Sequence, residues 1–230
     1  MTFAQTLDRF LTLTRELWSS QAGWILLLSA LTGLLYLLPD SASVPLGLVV
    51  VLVLATLTVF WVKVAAAEGR LDAGAFEGKT PDWLGHLGVV LGMFTVFVAL
   101  AVVVLVPVLI VPFFVIAAAF LWLGLALLLA LYEPAIYVWA SGFSDALEKT
   151  WALLRRFEQR GALLEARFWY PLLLGLVVVV PQFFLPAHGL AAAISNFLVA
   201  LVQIPWFVAQ LVVLYENIWR EREGSAESSG

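Results

Sequence analysis

The sequence predicts an all-α polytopic membrane protein with six transmembrane helices plus interfacial amphipathic helices. Three observations predict it. First, 63% of the 230 residues are hydrophobic and 12% charged, with a mean hydropathy of +1.02. Soluble domains carry roughly 45–50% apolar and about 25% charged residues, so the excess here needs a non-aqueous solvent. Second, no charged residue occurs between Leu87 and Leu131, about twice the ~20 residues that one crossing requires. Third, all 12 Lys and Arg fall in segments that six crossings place on one side. Helices follow rather than open strands, because strands in lipid would leave backbone groups unpaired.

The elements follow in order. Phe3, Leu7, Phe10, Leu11, Leu17 and Trp18 recur at helical spacing and predict an amphipathic helix over 3–18. Thr2 with Gln5 forms a capping-box pattern at its start. The first span covers 22–38 and the second 46–67, separated by the turn "PDSASVP". The segment before Ala22 is long and net neutral, unlike the cationic start of a cleaved signal, so the first span is expected to stay. A glycine-rich connector, "EGRLDAGAFEGKTPDW", comes next, with Thr80 and Pro81 suited to opening a helix. Pro107 and Pro112 divide the long apolar run into spans 87–106 and 113–132. The last spans, 169–185 and 190–215, flank the turn "PAHG". One domain, 1–223, is expected, with a disordered tail at 224–230.

Orientation comes from the basic residues. Arg9 and Arg15 precede the first span, Lys63 is at the end of the second span, and Arg70 and Lys79 lie between the second and third. Lys149, Arg155, Arg156, Arg160 and Arg167 lie between the fourth and fifth, and Arg220 and Arg222 follow the sixth. The opposite loops carry only Asp40 and His188. Basic residues mark the cytoplasmic side, so both termini are expected there.

The stretch "GFSDALEKTWALLRR" predicts a second amphipathic helix over 144–160. Phe143, Ala146, Leu147, Thr150, Trp151, Leu154 and Phe157 share one face; Asp145, Glu148, Lys149, Arg155, Arg156 and Gln159 occupy the other. Ser144 suits its cap and Gly161 its end. Such a helix should lie in the cytoplasmic interface with Trp151 and Phe157 among the headgroups; Phe143, Leu147, Trp151 and Leu154 form its interfacial face, with Leu147, Trp151 and Leu154 expected against the bundle or the acyl boundary. Without gaps, Phe3, Leu7, Leu13 and Arg15 align with Phe143, Leu147, Leu153 and Arg155, which leaves a parallel duplication and chance similarity both open.

The segment "EPAIYVWASGFSDALEKTWALLR" resembles the signature of the membrane domain of glycerophosphoryl diester phosphodiesterase-type proteins and related six-helix bacterial membrane proteins. The matching residues are Ala146-Leu147, Lys149-Thr150-Trp151 and Leu153. The ending "LYENIWRERE" is similar too, although Asn217 stands where that family has an acid and Arg220 is displaced by one position. The resemblance implies a helical bundle in a bacterial cytoplasmic membrane. It implies no phosphodiesterase activity, since the catalytic domain of those proteins is a separate one.

No reaction is written in the residues. The chain has no cysteine, which removes disulfides, thiolate catalysis and Cys-ligated metal. His86 and His188 fall in different loops, and no phosphate loop, His-Glu-x-x-His or serine elbow occurs. The expected protein is non-enzymatic, needs no cofactor, and has the lipid bilayer rather than nucleic acid as its partner. Two features call for explanation. Asn196, Gln203 and Gln210 are spaced seven apart on the sixth span, so they drift only about 20° per step and form a polar stripe. Gln182 is expected beside Asn196. The stripe reads either as interhelical hydrogen bonding or as a substrate path. The second feature is Lys63 with Glu133, each about a turn inside a cytoplasmic helix end, read as snorkelling side chains or as an ion pair. Gly88 and Gly92 suggest a close helix contact. The expected function is membrane organisation or action through a protein partner; the alternative is a small transporter or permease subunit with its path along the sixth span.

Overall fold

A computed structural model describes residues 1–110, 115–155, 157–186 and 189–220. Among them the chain is helical throughout, with seven α-helices and no strand. Helix α1 (Phe3–Leu35) opens on the capping box: Gln5 N–H donates to Thr2 Oγ1 at 3.4 Å, and Thr2 N–H to Gln5 Oε1 at 2.8 Å. Gln21 leaves the helical region at φ −121°, ψ 21°, so α1 kinks where the amphipathic segment meets the apolar one. Helix α2 (Asp40–Glu68) begins before the expected 46, because the Pro39 carbonyl already accepts from Ala42 and Ser43 N–H. It ends at Gly69, whose φ of 70° is a left-handed cap that a side chain would strain.

A short 3-10 turn (Ala73–Phe76) leads into α3 (Trp83–Ile110). Asp82, not Thr80-Pro81, opens α3, its carboxylate accepting from Gly85 N–H at 3.0 Å. Helices α4 (Val115–Trp139) and α5 (Phe143–Arg155) follow. Helix α3 continues past the expected end at 106 as far as Ile110; the rest of the expected division, at 111–114, lies outside the described residues, as do His188 and the 224–230 tail. A 3-10 segment (Phe157–Leu164) precedes α6 (Ala166–Val179), which passes into 3-10 over Val180–Phe184 before α7 (Gly189–Ile218).

Five helices, α1, α2, α3, α4 and α7, are long and apolar enough to cross a membrane. The expected fifth span, 169–185, is not one such helix: α6 has 14 residues. Pro181 lacks an N–H, and the backbone tightens to 3-10 around it. Large apolar side chains face outward on several helices, with Val51 60%, Phe120 71% and Val177 64% exposed. Water would not support so broad an apolar surface.

Antiparallel α1 and α7 make the most extensive contact in the fold. Gly33 lets them close: a Cβ there would sit 2.7 Å from the Ala193 carbonyl oxygen. Phe10 and Trp206 stack edge to face at 4.6 Å further along. At the far end Arg9 forks onto Glu216, Nη2 to Oε1 at 2.7 Å and Nε to Oε2 at 3.0 Å. The same Nη2 caps α2 through the Gly69 carbonyl at 2.7 Å. Arg220 reaches the Ala66 carbonyl at 3.1 Å, and Asn217 Nδ2 the Arg167 carbonyl at 3.0 Å. One end of the bundle thus gathers the start of α1, the end of α2, the start of α6 and the end of α7. At the other end Gly189 N–H donates to the Tyr36 carbonyl at 3.3 Å.

The second packing unit is α5 on α3. The helix is shorter than the expected 144–160, and Gly161 lies inside the following 3-10 segment instead of ending an α-helix. Its packed face is Ala146, Thr150 and Leu153, all buried. Phe143, Leu147 and Trp151 point away from the bundle, and Leu154 is half-buried. The small residues of this helix, Ala146 and Thr150, are on the face that meets protein. The reason lies in α3, where Gly88 and Gly92 bring the backbone of Gly142 and Phe143 into contact. Asp145 anchors the turn, accepting from Ser141 N–H and Lys149 Nζ; these partners hold its carboxyl below the usual range.

A methyl group at Gly92 would meet the Phe143 carbonyl oxygen and, at 3.0 Å, the Ala146 Cβ. Gly92→Ala should therefore cost about 1–3 kcal/mol, the usual penalty of overpacking, read as a lowered Tm of the purified protein. Gly124→Ala, with nothing within 4 Å of the new Cβ, should leave Tm near the parent value. Equal effects would contradict this docking.

Candidate functional site

Two members of the polar stripe, Gln203 and Gln210, line a cavity. Helices α2 and α6 both pack on α7 and α1, and the space left between them is a groove of about 480 Å³. Val50, Val51 and Leu54 form one wall, Val178 and Val179 the other, and Ala200, Ile204 and Phe207 the base. Gln182, Gln203 and Gln210 are its main polar groups. Such a volume is within the roughly 300–1,000 Å³ usual for small-molecule sites.

Each amide has a local reason for its place. Around Pro181 the regular α-helical donors of α6 run out. Gln203 Nε2 donates to the Val178 carbonyl at 3.0 Å and so caps the end of α6, while Trp206 Nε1 adds a bond to the Leu174 carbonyl, inside the helix, at 2.9 Å. Gln182 Nε2 then donates to Gln203 Oε1 at 2.6 Å. Gln182 therefore meets Gln203, one step along the stripe from the expected Asn196. Asn196 is buried and turns back to the Ala192 carbonyl of its own helix at 2.9 Å, so it belongs to α7 and not to the groove. Gln210 differs from all of them. Its amide rests on Gly175, where a Cβ would lie 2.8 Å from Gln210 Cδ, and it has no hydrogen-bond partner among the described residues. An amide open to an apolar cavity is a group that a ligand or water can satisfy.

Lys63 and Glu133 do not form an ion pair in the described structure. Lys63 Nζ donates to the Ala140 carbonyl at 2.5 Å, capping the end of α4, while Glu133 interacts with Tyr137 one turn on. The ammonium finds its acceptor in the carbonyls at a helix C-terminus, which its long stem can reach. Sequence reasoning missed the Arg9–Glu216 fork, whose partners are 207 positions apart. The end-sorting of charges placed both groups on one side but offered no pairing.

No family model matches this chain, and neither a curated protein nor a solved structure is detectably similar to it.

Removing the Gln203 amide strips a donor from Val178 and an acceptor from Gln182. Gln203→Leu is expected to cost about 1–2 kcal/mol, the usual scale for hydrogen bonds between membrane helices. Gln182→Leu should add little on top of it, since the bond between them is already gone. A double variant whose loss in Tm equals the sum of two substantial single losses would contradict the paired latch.

Proposed function

We propose that the chain is a non-enzymatic integral membrane protein that holds a membrane-borne, lipid-like molecule in the groove between α2 and α6. It crosses the bilayer six times, with both ends on the cytoplasmic side. The fifth crossing is α6 together with its 3-10 extension: at about 1.5 and 2.0 Å of rise per residue they reach about 31 Å, the ~30 Å of a hydrocarbon core. The hydrogen bonds that join Arg9, Gly69, Arg167 and Glu216–Arg220 at one end of the bundle support the same reading. The basic residues sort to that end, as cytoplasmic ends do.

One observation carries the binding role: an apolar groove with an unpartnered amide, Gln210, at its inner end. Among the described residues that line it there is no titratable side chain, unlike the ionisable relays of proton and ion pathways. A permease subunit is the second reading, favoured by the stripe lying along a cavity. It needs another opening at the end where Arg9, Gly69 and Glu216 are tied together. Helix α5 fits membrane organisation: Phe143, Leu147 and Trp151 face outward at the basic end, with the Arg155 guanidinium 4.9 Å over the Trp151 ring. The resemblance to the phosphodiesterase-type membrane domain belongs with this reading. Its Ala146, Thr150 and Leu153 are the residues that dock α5, so the shared motif serves packing rather than chemistry.

Gly47 faces the groove with only Leu35 side-chain carbons within 4 Å of a Cβ, which leaves room to fill the cavity. The wild-type protein, purified in mild detergent, should retain a lipid-like molecule detectable by native mass spectrometry. Gly47→Phe should lose that molecule while keeping its helical circular dichroism. Absence of any retained molecule from the wild type would overturn the binding role.

A further inference from the structure

The groove does not end at Gly47. A second chamber of about 310 Å³ shares Thr32, Leu35 and Gly47 with it and opens at the end of the bundle away from the basic residues. Its remaining polar groups are Tyr36, Asp40 and Ser43. From Asp40 to Leu54, α2 rises about 21 Å, more than the ~15 Å of one leaflet's hydrocarbon. The path therefore runs from a polar mouth at the membrane surface, along more than one leaflet's depth, to the Gln210 amide. Headgroup and chain of a single lipid would follow the same sequence of environments.

The mouth also has a sign. Asp40 carries no ion pair in the described structure, and every described Lys and Arg sits toward the other end of its helix or in the segments beyond it. It is a carboxylate with no ionic partner among the described residues, offset only in part by the N-terminus of α2 on which it sits. It repels an anionic headgroup and attracts an ammonium, with the Tyr36 and Ser43 hydroxyls beside it to orient the headgroup. Resting on the groove's role as a lipid site, we propose that the two chambers together hold one lipid of the non-cytoplasmic leaflet whose headgroup bears a primary amine, its chain in the α2–α6 groove and its ammonium at Asp40.

The test uses the full-length protein in detergent, incubated with phosphatidylethanolamine and phosphatidylglycerol of identical acyl chains in competition. Native mass spectrometry reads the bound ratio. The expected ratio favours phosphatidylethanolamine by about threefold or more, the scale of one exposed charge pair. Asp40→Asn should bring the ratio close to one with total lipid retention unchanged, and Asp40→Glu should keep the preference. Equal retention by the wild type, a preference for phosphatidylglycerol, or a preference that survives Asp40→Asn would each overturn the assignment while leaving the groove's role standing. Retention of neither lipid would reject the groove's role and this assignment with it.

Discussion

The fork of Arg9 onto Glu216 is the interaction on which the rest of the bundle depends. It joins the first helix to the last, and the same guanidinium holds the carbonyl that ends α2. Glu216 is 5% exposed at the side chain, so its charge has little water to fall back on and needs these partners. Arg220 stands 3.5 Å away as a second cation. With this end closed, the Phe10–Trp206 stack and the Gly33–Ala193 approach align α1 and α7 along their whole length. Helices α2 and α6 can then only add to the flanks of that pair.

The groove is a consequence of how α6 ends. Pro181 stops the regular hydrogen-bonding of α6, and α7 compensates through Gln203, with Trp206 adding a bond one turn earlier. The same side chains that repair α6 become the polar lining of the space it leaves beside α2. Structural bonding and ligand binding are therefore not rival readings of the stripe, since Gln182 and Gln203 satisfy each other while Gln210 remains open. The flanking elements are held more simply. Helix α5 rides on the glycine face of α3, and Lys63 and Lys149 close the carbonyls at the end of α4.

Long apolar runs and the sorting of charge were legible in the sequence because they are properties of composition and order. The all-helical class, the capping box at Thr2 and the apolar helices α1, α2, α3, α4 and α7 follow from them. The glycine contact of Gly88 and Gly92 was legible as a contact, though its partner, α5, was not. Periodicity identified an apolar face on α5 without saying which part meets protein. Phe143, Leu147 and Trp151 are the bulkier residues and face outward, whereas Ala146, which lies against Gly92, is buried with Thr150 and Leu153. For the same reason Gln182 was placed one step out of register: its height depends on the 3-10 tightening after Pro181, which no periodicity reports. Pairs far apart in the chain, Arg9–Glu216 above all, exist only once α1 and α7 are side by side.

The most direct measurement is a double-mutant cycle on that pair, read as thermal stability in detergent. Arg9→Gln should cost about 3 kcal/mol, the lower end for breaking a buried pair, because Glu216 is left buried without its main partner. Glu216→Gln should also destabilise, and the double variant should lose clearly less than the sum of the two. Strictly additive losses, or an Arg9→Gln protein as stable as the parent, would contradict a bundle closed by this interaction.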